Sequence, residues 1–172
     1  MARPNAHEGT THELARLPEG ARIACVVSTY HLELVGGMAA SARDTLVAAG
    51  LDEDRFLSIQ APGTYELPII AQRLARRSDI DAVLAFGLVL KGETEHDRYI
   101  ASAVSDALMR IGLETDTPCL FGVLTCGTLE QAQARAKRAA DGGLDKGHEV
   151  ARAAVEVLAA LERAEHGQED NR

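Results

Sequence analysis

Tryptophan is absent from this chain, and aromatic residues make up only 3% of it. An aromatic ring beside a polar loop is therefore a rarity here, and Tyr30 and Tyr65 both stand in such places. The three cysteines, Cys25, Cys119 and Cys126, are odd in number and form no Cys-x-x-Cys pair. They read as small buried thiols in a reducing cytoplasm. Cys126 as a nucleophile has no supporting motif. The six histidines show no paired ligand spacing, so no metal is expected. Basic residues are few, 18 against 26 acidic ones, for a net charge of −8. That argues against a nucleic-acid binder, which normally carries a basic patch. No apolar run approaches the ~20 residues of a membrane span. Residues 1–20 lack the apolar core of a signal peptide. A cytoplasmic protein is expected, with neither membrane nor nucleic acid among its partners.

What is present is an alternation of strand and helix patterns over 172 residues, enough for one domain with a real core. Residues 1–20 are polar, with Pro4, Pro18 and Gly20, and read as a flexible N-terminal arm; residues 163–172 have no apolar period and read as a disordered tail. Residues 21–162 form the domain. A continuous apolar run at 22–28 predicts a strand buried on both faces. Helical spacing at 32–49 ends at Gly50, a natural C′ residue. Residues 55–60 alternate as a second strand, and 67–75 resume helical spacing. A third strand is expected at 81–90, a helix at 97–114, a fourth strand at 118–125, and helices at 129–140 and 146–161. Such alternation implies right-handed βαβ units. The predicted fold class is α/β: a flavodoxin-like three-layer sandwich, a four-stranded parallel sheet with helices on both faces.

In such sheets ligands bind outside the carboxyl ends of the strands. The unusual polar and aromatic residues of the chain concentrate in the loops there, at 29–31, 61–66, 91–96 and 126–128. In the third of these, Gly92, Glu93 and Thr94 lie between a strand end and a helix start. Free backbone N–H groups and the helix dipole favour an anion at such a place. His96, the side-chain type most easily poised for proton transfer near neutral pH, lies one turn away. The plain alternative is a strand-to-helix connection with Thr94 as its cap. Pro62 and Pro68 bracket Thr64, Tyr65 and Glu66 in a rigid turn suited to a polyol or heterocycle. Tyr30, just past the first strand, can stack on a flat ring. Arg135 and Lys146 read as solvated basic residues unless an anion site needs one of them. Together these point to an enzyme for a small phosphorylated molecule.

Five segments in order resemble one family. They are Gly87-Leu88-Val89-Leu90-Lys91-Gly92-Glu93-Thr94-Glu95-His96, Pro62-Gly63-Thr64-Tyr65-Glu66-Leu67-Pro68, Phe121-Gly122-Val123-Leu124-Thr125, Glu130-Gln131-Ala132 and Asp145-Lys146-Gly147. They are similar to those of 6,7-dimethyl-8-ribityllumazine synthases, and Ser28, Tyr30 and His31 look most like the actinobacterial branch. The resemblance implies a transferase of riboflavin biosynthesis that needs no cofactor. Such enzymes condense 5-amino-6-(D-ribitylamino)uracil with 3,4-dihydroxy-2-butanone 4-phosphate, releasing water and phosphate. Riboflavin synthase is then a pathway partner.

By that resemblance His96 matches the proton donor/acceptor. Glu93 and Thr94 match the loop that binds the butanone phosphate, and Arg135 its cationic partner. Tyr30 matches the aromatic that stacks on the pyrimidine. Thr64, Tyr65 and Glu66 match the ribityl-binding turn. Leu88, Val89 and Leu90 match a strand end that contacts the pyrimidine through main chain. Lys146 matches a basic residue near the ring, and Phe121 a residue given by the adjacent subunit. Asp97 and Arg98 depart from the usual Phe-Asp after the histidine. The segment between Arg135 and Lys146 is longer than in many members. In the family that length goes with free pentamers rather than icosahedral capsids, so a homopentamer is expected.

Overall fold

The computed structural model describes residues 15–167. Residues 1–14 of the expected arm and 168–172 of the expected tail lie outside them. Four strands, β1 (Ile23–Ser28), β2 (Phe56–Ala61), β3 (Ala82–Leu90) and β4 (Cys119–Cys126), alternate with helices. The helices are α1 (Leu32–Ala48), α2 (Leu67–Ala75), α3 (His96–Thr115), α4 (Leu129–Ala136) and α5 (Lys146–His166). All strand pairs are parallel, in the order β2-β1-β3-β4. The expected flavodoxin-like sandwich is thus observed.

Every residue of β1 and all but the last of β3 are buried, as central strands of a doubly covered sheet require. One core layer lies under α1, α4 and α5, and holds Met38, Leu46, Phe86, Val155 and Leu158. The other lies under α2 and α3, and holds Leu67, Leu74, Val104, Leu108 and Ile111. α1 ends as Gly50 predicted. The Gly50 N–H reaches the Val47 carbonyl and the Leu51 N–H the Leu46 carbonyl, the paired bonds of a Schellman cap.

Four boundaries differ from the sequence reading. β2 does not alternate: Ser58, Ile59 and Gln60 are all exposed, because β2 is the sheet's edge strand. α4 stops at Ala136, not at 140, and a short 3₁₀ turn at Ala139–Asp141 follows. α5 continues to His166, into the segment read as tail, since its last turns are solvent-facing helix without an apolar stripe. The chain is also anchored before residue 20. Leu17 is buried, and its N–H donates to the Ala49 carbonyl at 3.0 Å.

α1 and α5 are joined by a polar clasp. The Ser41 hydroxyl donates to Asp145 Oδ1 at 2.6 Å, and the His148 N–H to the same oxygen at 3.1 Å. The Ala139 N–H donates to Asp145 Oδ2 at 3.3 Å. Thr45 Oγ1 bonds His148 Nδ1 at 2.9 Å. Burial pushes the Asp145 carboxyl up, but the Ser41 hydroxyl, the two N–H groups and the nearby His148 pull it down further, below the ordinary value. A carboxyl depressed by folding stabilises above its unfolded pKa, and that stabilisation is lost as pH falls through the folded value. The thermal stability advantage of the wild type over Asp145→Asn should hold above about pH 5 and shrink below about pH 4. A stability difference that does not change between pH 7 and pH 3 would refute this.

Candidate active site

β3 outruns β1. Pairing between the two ends at Val27 and Phe86, whereas β3 continues to Leu90 beside β4 alone. In a parallel ladder alternate residues turn their backbone groups to alternate neighbours. The Val83 and Lys91 N–H groups both donate to the β4 side. Leu88 and Leu90 therefore present their backbone groups to the side that β1 has vacated, and Val89 is turned to β4. Strand order reverses between β1 and β3, the usual place for a ligand in an open α/β sheet.

A cavity of about 440 Å³ opens there. Its walls come from the loops after β1, β2 and β3 and from the first turns of α3. Tyr30, Thr64, Tyr65, Glu66, Leu88, Val89, Leu90, Thr94 and His96 all line it, so nine of the residues singled out in the sequence converge. The loops are tied together. Thr29 donates its N–H to the Ala61 carbonyl at 2.8 Å and its hydroxyl to the Pro62 carbonyl at 2.9 Å. Buried Thr64 donates its hydroxyl to the Leu88 carbonyl at 3.1 Å. One backbone acceptor of the strand end is thereby engaged by the wall itself. Tyr30 and Tyr65 stand at the rim, 61% and 62% exposed, far above what a ring of their size shows in a core. The Tyr30 ring meets the His31 ring edge-on at 4.5 Å.

His96 is the first residue of α3, and its side chain is exposed. Its N–H approaches the Thr94 hydroxyl at 3.4 Å in a local turn, while the N-cap position is taken by Glu95, whose side chain makes no capping bond. Glu93 does not line the cavity. Pro62, Gly63 and Gly92, from the loops expected at the strand ends, complete the wall, and Asp97 and Ile100 line it without having been expected to. Ile100 carried a signal, an apolar residue four after His96 on one helix face. Asp97 stood out only as a departure from the family pattern.

Charge is distributed unevenly. Among the described residues the cavity wall holds two carboxylates, Glu66 and Asp97, and no lysine or arginine. Arg98, next to Asp97, is bonded to Glu95 at 2.6 Å. The expected cations lie elsewhere. Lys146 begins α5, half-buried and paired with Glu149 at 2.7 Å. Arg135, on α4, is exposed and makes no ion pair with any described residue. Phe121 sits on edge strand β4, away from the cavity and 37% exposed. One chain thus brings together the heterocycle and polyol side of the expected site, but not Arg135, Lys146 or Phe121.

Burial disfavours the thiolate form of all three cysteines. Burial pushes the Cys25 thiol far up and the Cys119 thiol up to about 11. Burial also raises Cys126, with the Arg135 charge opposing it. Cys126 lines an adjoining cavity that shares Val89 and Asp97 with the first and adds Lys91 and Arg98; His96 is not among the residues of that wall. No three His, Cys, Asp or Glu residues among those described are placed to hold a metal.

A parallel α/β sandwich with a concave site at its switch point, lined by an imidazole, two carboxylates, hydroxyls and strand-end backbone, defines a small-molecule enzyme. Comparison with known proteins narrows the class. Residues 20–162 match the 6,7-dimethyl-8-ribityllumazine synthase family. The 6,7-dimethyl-8-ribityllumazine synthase 1 of Caulobacter vibrioides is 44% identical over 85% of this chain and 94% of its own length. The synthase of Aquifex aeolicus is 41% identical over 81% and 88%. That of Salinibacter ruber is 38% identical over 86% and 92%. The chain belongs to the 6,7-dimethyl-8-ribityllumazine synthase family.

The cavity wall depends on Gly87. A Cβ there would lie 2.8 Å from Thr64 Oγ1 and 3.0 Å from Leu67 Cδ1. Gly87→Ala should displace Thr64 from the Leu88 carbonyl and cost about 1–3 kcal/mol of stability by overpacking. Denaturant unfolding measures this; a variant as stable as the wild type would mean that the wall gives way freely.

Proposed function

We propose that this chain forms 6,7-dimethyl-8-ribityllumazine in riboflavin biosynthesis. Its substrates on this reading are 5-amino-6-(D-ribitylamino)uracil and 3,4-dihydroxy-2-butanone 4-phosphate. What carries the reading is one coincidence. The family match spans the whole sheet domain, and nine residues expected from it line a single cavity at the switch point. The sequence of steps is Schiff-base formation at the ketone, elimination of phosphate, then ring closure with dehydration. No cofactor enters it.

In this reading Tyr30 stacks on the pyrimidine, and the backbone of Leu88 and Leu90 bonds its polar edge. Val89 contributes wall. Thr64, Tyr65 and Glu66 hold the ribityl chain, with the Glu66 carboxylate accepting from its hydroxyls. His96 carries protons between the reacting nitrogen, the ketone and the departing oxygens. Thr94 offers its backbone N–H to the phosphate at the start of α3, and Glu93, whose side chain lies outside the wall, only its N–H.

A phosphate needs a cation, and among the described residues the cavity wall of one chain holds no lysine or arginine. Arg135 therefore serves the cavity of a neighbouring copy, together with Lys146 and Phe121. This requires a homo-oligomer, for which we propose a pentamer rather than a capsid because of the long Arg135–Lys146 connection. It acts in the cytoplasm, upstream of riboflavin synthase.

The energetics assign the larger share to orientation. Holding two reactants in line supplies on the order of 7–11 kcal/mol in favourable cases, whereas one positioned acid/base contributes roughly 10²–10⁴-fold. Mixing the two substrates with the enzyme should generate the lumazine's absorbance. Tight riboflavin binding with no product would instead favour a binding protein. His96→Ala should slow turnover yet leave measurable activity, and complete loss in a folded, assembled variant would count against the primacy of orientation. Arg135→Ala should mainly raise KM for the phosphorylated substrate, read from initial rates at varied ketone phosphate. Light scattering should give five times the 18.4 kDa chain mass; a far larger particle would overturn the pentamer.

A further inference from the structure

We infer that Asp145 is a positioning residue that sets the relative placement of Arg135 and Lys146; this rests on the function proposed above for those two cations. Asp145 is the only carboxylate or base among the buried described residues. It has no bonded cation, since nearby Arg138 is taken by Asp44 at 2.7 Å. A buried carboxylate is costly unless hydrogen bonds satisfy it. Here the bonds come from three separate segments: Ser41 on α1, Ala139 in the connection and His148 on α5. A residue serving only as a helix cap would need the last of these alone.

The connection between the two cations folds back on α4. The Leu144 N–H donates to the Ala134 carbonyl and the Asp145 N–H to the Lys137 carbonyl, each at 2.9 Å. Ala134 and Lys137 bracket Arg135, and Asp145 directly precedes Lys146. The end of α4 and the start of α5 are thus one hydrogen-bonded unit, and Asp145 bolts it to α1. The geometry is demanding: Asp145 adopts the left-handed region at φ 50°, unusual for a residue with a side chain. Two residues further on, Gly147 packs against the Met38 carbonyl so closely that no Cβ fits. With no ion pair of its own, Arg135 takes its direction from this backbone frame.

The test is a double-variant cycle on the full-length protein, with Asp145→Asn, Arg135→Ala and both together. Asparagine keeps one acceptor and turns an NH₂ towards donors. Asp145→Asn should raise KM for the ketone phosphate, and the inhibition constant of inorganic phosphate, about tenfold, while kcat changes little. In the Arg135→Ala background the same substitution should add nothing. A lower melting temperature with unchanged KM well below the transition would overturn the inference, as would effects that simply multiply. If Asp145→Asn does not fold, Ser41→Ala decides by the same cycle. A KM rise that vanishes without Arg135 supports the inference, and an unchanged KM overturns it. If Arg135→Ala alone leaves KM unchanged, the role of Arg135 falls and the inference with it. An Arg135 effect without an Asp145 effect removes only the inference.

Discussion

Gly87–Leu90 carry β3 beyond the end of β1, and the backbone groups left without a strand neighbour must find other partners. The rest of the site is arranged around that requirement. Thr64 answers part of it by bonding the Leu88 carbonyl, which places the Pro62–Glu66 turn against the strand end. Thr29 ties the loop after β1 to the same turn, and Tyr30 is set at the rim. The strand end beyond β1 turns its backbone towards a concave, partly apolar cavity, suited to the polar edge of a flat heterocycle. The lack of a side chain at Gly87 lets Thr64 approach closely enough for this to work.

Charge supplies a second constraint. Among the described residues the cavity of one chain is walled by Glu66 and Asp97 and holds no lysine or arginine, while Arg135 stands exposed on α4 with no ion pair to any of them. A carboxylate-lined cavity is a poor place for a phosphorylated substrate by itself. Assembly reconciles the two facts in the proposed function, and it gives the polar clasp at Asp145 a purpose beyond holding α1 to α5. On that proposal the two cations enter another subunit's site, and the clasp presents them as a rigid pair.

Much of the fold was legible because it depends on local pattern. The unbroken apolar runs of β1 and β3 announced central strands, and Gly50 announced the end of α1. The sites of error are instructive. β2 looked half-buried from its alternation, but burial of an edge strand depends on what lies beside it, which the strand's own residues do not encode. The end of α4 looked helical to 140, yet the Asp145 carboxylate draws the Ala139 N–H into a different turn. Within the site, each loop could be placed at a strand end by its sequence position. Glu93 shows the limit, since whether a loop residue faces in or out depends on the path the loop takes.

By itself, the sequence determined the order of elements, the parallel sheet and the loops in which polar and aromatic side chains gather, because these follow from hydrophobic period and turn chemistry within a few residues. Only the tertiary structure decided that β3 outruns β1, that no lysine or arginine among the described residues enters the cavity wall, and that Ser41 meets Asp145 across 104 residues of chain. Register, charge balance and long-range bonds are properties of packed neighbours, and neighbours distant in sequence leave no local trace.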